Sequence, residues 1–70
     1  MRRLIRSKVT RSFFSNGQWT NDIARAQEVK SFEEVRSIAK RFNLADLELY
    51  YLVGGDVDSV YDFAIPINHD

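Results

Sequence analysis

The chain has 70 residues with 10 basic and 10 acidic side chains, so its formal net charge is zero, and 44% of its residues are hydrophobic. This composition is typical of a small globular domain and excludes fibrous and disordered classes. The lack of cysteine excludes disulfides and thiolate metal sites, and no apolar run is long enough to span a bilayer.

The charges are unevenly distributed along the chain. Residues 1–15 carry five basic side chains and no acid, whereas residues 44–70 carry six acidic side chains and neither lysine nor arginine. Such asymmetry suits either a basic arm that binds nucleic acid or two oppositely charged strands that lie side by side.

The first predicted strand runs from Leu4 to Phe14. Ile5, Val9 and Phe13 fall on one face and mostly polar residues on the other, which is the alternation of a half-buried strand. Two polar residues interrupt the apolar face, so we expect its burial to be incomplete.

A hairpin turn follows at Asn16-Gly17. This dipeptide favours a two-residue type I′ turn, which needs positive φ at both central positions. In that register Phe14 lies opposite Trp19 and the two rings form a cross-strand aromatic pair.

The return strand is expected to be short. Its continuation to Val29 would place Lys8 opposite Arg25, and like charges opposed across a ladder are unfavourable. We therefore predict that the strand ends near Thr20, that 21–26 forms a helical turn, and that an extended piece leads to Val29. A continuous strand to Val29 is the alternative.

The main helix is predicted over about 32–43. Ser31 followed by Glu34 forms a capping box, and Asn43 is a suitable C-terminal cap. The apolar residues recur at the spacing of one helical face; they are Phe32, Val35, Ile38, Ala39 and Phe42.

Two further strands are predicted at Leu47–Val53 and at about Val60–Ile67. If Tyr51 pairs with Phe63, the odd-numbered residues of both strands face the helix. Pro66 cannot donate a ladder hydrogen bond, so its strand is expected at an edge of the sheet.

The predicted architecture is α+β, with a single four-stranded antiparallel sheet (ββαββ, order about 2-1-3-4) and one helix packed on one face. This order places Arg6 and Lys8 of strand 1 beside Asp46 and Glu48 of strand 3, so that the charges pair. We expect one cytoplasmic domain over 1–70 with a flexible tail at about 68–70.

The sequence predicts no catalytic, cofactor or metal site. The single histidine, His69, falls in the tail, where residues are usually poorly ordered. The acidic segment after Gly55 does not match an EF-hand loop, because Val60, Tyr61 and Ile67 occupy positions that need an oxygen ligand, glycine and glutamate.

A single helix is expected to leave the opposite sheet face uncovered. The predicted interaction surface on that face comprises Phe14, Trp19, Tyr50 and Leu52. An aromatic patch of this kind marks a contact surface, so we expect an interaction module that binds itself or another protein and not a membrane.

The alternative function is a nucleic-acid-associated regulator. Its phosphate contacts would come from strand 1 and from the exposed side of the helix, at Arg2, Arg3, Arg6, Lys8, Arg36, Lys40 and Arg41. Zero net charge and the lack of a known nucleic-acid-binding motif favour the protein-interaction hypothesis.

Overall fold

The computed structural model describes residues 1–67, and within this range it contains one helix and five strands. In chain order these are β1 (Arg2–Ser7), β2 (Phe13–Ser15), β3 (Gln18–Thr20), α1 (Phe32–Phe42), β4 (Leu47–Leu52) and β5 (Phe63–Pro66). They form one antiparallel sheet in the order β3-β2-β1-β4-β5. The predicted tail at 68–70, including His69, lies outside the described residues.

The α+β class with one helix and an antiparallel sheet is confirmed, but the prediction of four strands in the order 2-1-3-4 is wrong. The predicted strand 1 is two strands, because the chain turns back at 8–12. The Ser7 hydroxyl accepts hydrogen bonds from the backbone N–H groups of Val9 and Thr10, at 3.2 and 3.1 Å, and Arg11 adopts a left-handed conformation with φ 64°. Such hydroxyl–backbone bonds stabilise a turn in place of a ladder.

This turn changes which residues share a face. Arg6 pairs with Phe13 in the β1–β2 ladder, Val9 is exposed at the turn, and Ile5 and Phe13 belong to different core clusters. The expectation that Ile5, Val9 and Phe13 line one face is therefore wrong.

The Asn16-Gly17 hairpin is confirmed. Asn16 and Gly17 have φ values of 47° and 92°, as a type I′ turn requires, and Phe14 pairs with Trp19. The strand that follows ends at Thr20, so the alternative of a continuous strand to Val29 is wrong.

The segment 21–29 first forms turns and then runs beside the N-terminal half of β1, where Glu28 forms an isolated bridge with Leu4. Backbone hydrogen bonds run from Arg25 to Asp22 and from Ala26 to Ile23, and Val29 then donates to the Arg3 carbonyl at 2.8 Å. This path carries the chain to the first turn of α1.

The caps of α1 lie where local sequence predicts them. The Ser31 hydroxyl accepts from the Glu34 backbone N–H at 3.3 Å, and Asn43 closes the helix with φ 55°. The helix packs its buried side against the sheet and forms the first core cluster, made of Ile5, Phe14, Val29, Val35, Ala39, Leu47, Leu49 and Ile67.

The second sheet face is also covered, so the expectation of an open face is wrong. The second core cluster lies on this face and consists of Leu4, Phe13, Ala26, Tyr50 and Leu52. Ile23, Val57 and Ala64 pack against it. The first two of these come from irregular segments, which cover the face in the way that a second helix would in a larger domain.

The second hairpin has the predicted register. Tyr51 pairs with Phe63 and their rings stack at 4.4 Å between centroids. Strand β5, which contains Pro66, is an edge strand as predicted. No helix within residues 1–67 is long and apolar enough to cross a membrane.

Candidate interaction edge

The four residues of the predicted interaction surface do not lie together. Phe14 is buried in the first core cluster, while Tyr50 and Leu52 are buried in the second. Only Trp19 keeps a large exposed fraction, 42%. The prediction that the four share an uncovered face is wrong, because irregular segments bury Tyr50 and Leu52 and the helix side buries Phe14.

The exposed ring of Trp19 is held in place by the core beneath it. Phe14 packs edge-on against Trp19 with 5.4 Å between centroids, and it contacts Phe42 at 5.2 Å. Because Phe14 is buried and contacts both rings, it supports an aromatic surface at the C-terminal end of α1. Phe42 is itself 44% exposed.

The backbone of Trp19 points toward solvent at the free edge of the sheet. Ser15 and Gln18 flank the two-residue turn, and in such a hairpin this pair exchanges both ladder hydrogen bonds. The next pair, Phe14 and Trp19, is therefore not hydrogen-bonded across the ladder. The N–H and C=O of Trp19 face away from β2, and within residues 1–67 no further strand lies beside β3.

Apart from its short length of three residues, β3 lacks the features that usually protect an edge strand. Natural edges are protected by charged side chains, proline or bulges. Residues 12–21 contain neither a charged side chain nor proline, although 29% of the whole chain is charged. The edge is thus open to a further strand.

The opposite edge of the sheet is protected. Ile67 donates to the Leu47 carbonyl at 3.0 Å, so the alternation along the ladder turns the backbones of Ala64 and Pro66 outward. Pro66 has no N–H to offer a neighbouring strand. The two edges of the sheet therefore differ in their capacity for strand addition.

A shallow groove of about 430 Å³ begins beside Trp19, between the turn at 8–12 and the segment that directly follows α1. Its apolar wall includes Val9 and Leu44 and its rim carries hydroxyl and carboxylate groups; the lining is Ser7, Val9, Thr10, Ser12, Trp19, Asn43, Leu44, Ala45 and Asp46. The groove can accept a side chain of a segment bound at the edge. The sequence pattern does not predict this groove, because its alternation places Val9 inside a strand.

The basic residues of the nucleic-acid hypothesis separate into two groups. Arg2 donates to the carbonyls of Ile23 and Ala26, and Arg6 is buried in ion pairs. The other five are exposed: Arg3, Lys8, Arg36, Lys40 and Arg41.

The predicted pairing of the basic and acidic strands is confirmed for Arg6 and Glu48, which face each other in the β1–β4 ladder.

A buried polar network anchors the covering loop, residues 54–62, which lies over the second face of the sheet. The Arg6 guanidinium contacts Glu48 at 2.5 Å and Asp58 at 2.9 Å, and lies 4.1 Å from the Tyr50 ring centroid. The Tyr50 hydroxyl donates to Asp62 and accepts from the Asp58 N–H, both at 2.5 Å. Burial and the hydrogen bond to Asp62 raise the pKa of Tyr50.

Asp62 is the hub of this loop. Partial burial acts to raise its pKa, but hydrogen bonds from the Tyr50 hydroxyl and from the N–H groups of Gly54 and Val53 outweigh it, so the pKa lies well below the ordinary 3.8. A cavity of about 250 Å³ lies beside this network. Most of the polar side chains that line it already form hydrogen bonds or ion pairs with one another, as expected for a structural anchor.

Stability should therefore depend on the ionisation of Asp62 in acid. A carboxylate with a lowered folded-state pKa stabilises the fold fully above its ordinary pKa and loses this contribution as the pH falls toward the folded value. We expect Asp62→Asn to lower the thermal midpoint at pH 7, and the difference from wild type to shrink below about pH 4. Thermal unfolding by circular dichroism across pH 2–7 measures this, and a difference that is independent of pH would contradict it.

Comparisons with protein-family models, with curated proteins and with solved structures find no significant match.

Proposed function

We propose that the chain is a non-enzymatic protein-interaction module that binds an extended polypeptide segment along the free edge of β3, beside Trp19. The observation that carries the proposal is the outward-facing peptide group of Trp19 on an edge without charge or proline. Strand addition at such an edge uses main-chain hydrogen bonds for affinity and side-chain pockets for specificity.

The side chains around the edge supply the specificity that main-chain hydrogen bonds alone do not give. A half-exposed tryptophan held by a buried ring loses little conformational entropy on binding, and tryptophan is enriched among the residues that dominate binding energy. The groove that begins at Trp19 adds an apolar wall and polar rim groups for one side chain of the bound segment.

The geometry favours this edge over a nucleic-acid site. Two of the seven predicted phosphate contacts, Arg2 and Arg6, already bond to the protein's own groups. Arg6 is also unsuitable as a probe of nucleic-acid binding, since its replacement would disturb the fold. The alternative is tested by Lys40→Ala with Arg41→Ala, which should weaken oligonucleotide binding and its salt dependence if phosphates are bound there.

Selection of short random peptides against the full chain tests the proposal. Trp19 is the only tryptophan, so its fluorescence reports binding at the edge directly. We expect selected peptides to change this fluorescence and to shift the amide resonances of residues 18–20. Trp19→Ala should weaken their binding by about thirtyfold, since hot-spot truncations cost about 2 kcal/mol or more. Because this variant lacks the fluorophore, titrations followed by the amide resonances measure both affinities.

Tyr61→Ala is the matched control, because Tyr61 is an exposed aromatic residue on a loop. It should leave peptide affinity unchanged. Peptides that perturb other surfaces and leave residues 18–20 unaffected would contradict the proposal.

A further inference from the structure

We infer that the segment bound by the β3 edge is the same edge of a second copy, so that two chains form a dimer with a two-fold axis through Trp19. This inference rests on the proposed function, because it names the partner of that edge. It commits to antiparallel pairing of β3 with itself.

The pairing follows from the orientation of the Trp19 peptide group. On a two-fold axis a strand meets itself antiparallel, and the residue at the centre faces its own copy. The N–H of Trp19 then donates to the C=O of the partner's Trp19, and the reverse bond forms by symmetry. Gln18 lies opposite the partner's Thr20, and the two indole rings lie side by side on the helix-facing side of the sheet.

The charge distribution permits this self-pairing. A symmetric contact places Trp19 opposite its own copy and Gln18 opposite the partner's Thr20, so charges of a single sign along the edge would face like charges. The hairpin residues 12–21 form the longest uncharged run of the chain. An edge evolved to bind a charged partner segment would be expected to carry complementary charge, and this one carries none.

The other edge explains why association stops at two chains. Once β3 is paired, the strand edges that stay free among the described residues are the two β5 edges, and each presents Pro66 outward. The missing N–H opposes addition of a further strand there. The result is a closed dimer rather than a growing sheet.

A pair of double variants tests the register. Gln18→Lys with Thr20→Lys places lysine opposite lysine twice in the dimer, whereas Gln18→Lys with Thr20→Glu places lysine opposite glutamate twice. Both variants replace the same two residues, so the loss of the native side chains is matched. At low salt the dimer dissociation constants of the two should differ by roughly tenfold or more, with the lysine–lysine variant the weaker.

Sedimentation over a concentration series measures these constants, and amide hydrogen exchange gives a second observable on the wild-type chain. Exchange of the Trp19 N–H should slow as protein concentration rises, whereas the outward N–H of Ala64 should not change. A chain that is monomeric at the highest concentration overturns the inference. Equal dissociation constants for the two variants also overturn it, because the dimer then uses another surface.

These outcomes separate the two proposals. A monomeric chain that still binds selected peptides at residues 18–20 refutes the dimer and leaves the interaction module intact. A chain that neither dimerises nor binds peptides at this edge refutes both.

Discussion

Replacement of Arg6 by methionine is expected to lower the free energy of unfolding by about 3–5 kcal/mol, the usual loss when one partner of a buried ion pair is removed. Arg6 is only 4% exposed, and its guanidinium contacts both Glu48 and Asp58. Without it the buried Glu48 carboxylate keeps only a longer contact of 3.9 Å to Arg11, whose side chain is largely exposed and compensates the charge less well.

The expected loss is large relative to the whole stability of a chain of this size, roughly 4–10 kcal/mol at about 0.05–0.15 kcal/mol per residue. Urea unfolding followed by Trp19 fluorescence and circular dichroism measures it. The covering loop should also be held less firmly, because Asp58 loses the hydrogen bond from Arg6 that connects residues 54–62 to β1.

Two control variants isolate the ion pair. Lys8→Met removes an exposed charge nearby and should change stability by no more than about 0.5 kcal/mol. Adding Glu48→Leu to Arg6→Met removes the buried carboxylate that has lost its closest cation, and we expect this double variant to recover much of the loss. A single Arg6→Met variant as stable as Lys8→Met would show that the pair is not buried.

Leu4→Ala is expected to lower the free energy of unfolding by about 2–5 kcal/mol, the range for truncating a fully buried leucine. Leu4 has 0% exposure and lies in the second core cluster. Its burial depends on the irregular segments that cover this face, since α1 packs on the other side of the sheet. The variant therefore measures how firmly these segments are held.

Val60→Ala provides the reference for an apolar truncation without burial. Val60 is 92% exposed on the covering loop, so its replacement should change stability by no more than about 0.5 kcal/mol. Urea unfolding compares the two variants. A Leu4→Ala loss below about 1 kcal/mol would mean that the second face is open in solution, as a single-helix sheet alone would leave it.

The candidate site was only partly predictable from the sequence. Trp19 and its pairing with Phe14 followed from the Asn16-Gly17 turn, and the uncharged run around the turn was visible in the sequence. That Phe14 is buried while Trp19 stays exposed depends on where α1 ends, because Phe42 covers one side of Phe14. Tyr50 was assigned to an open face because the alternation of a strand shows which residues share a face and not what covers them.

The sequence by itself determined the elements whose signals are local. The caps at Ser31 and Asn43, the positive φ values that Asn16 and Gly17 tolerate, and the missing N–H of Pro66 each act within a few residues, so helix, hairpin and protected edge were predictable. Tertiary structure alone decided the division of the first predicted strand and the covering of the second face. Both depend on contacts between residues far apart in the chain. Irregular segments such as 21–29 and 54–62 bury apolar groups, but they have no hydrophobic periodicity from which this burial could be predicted.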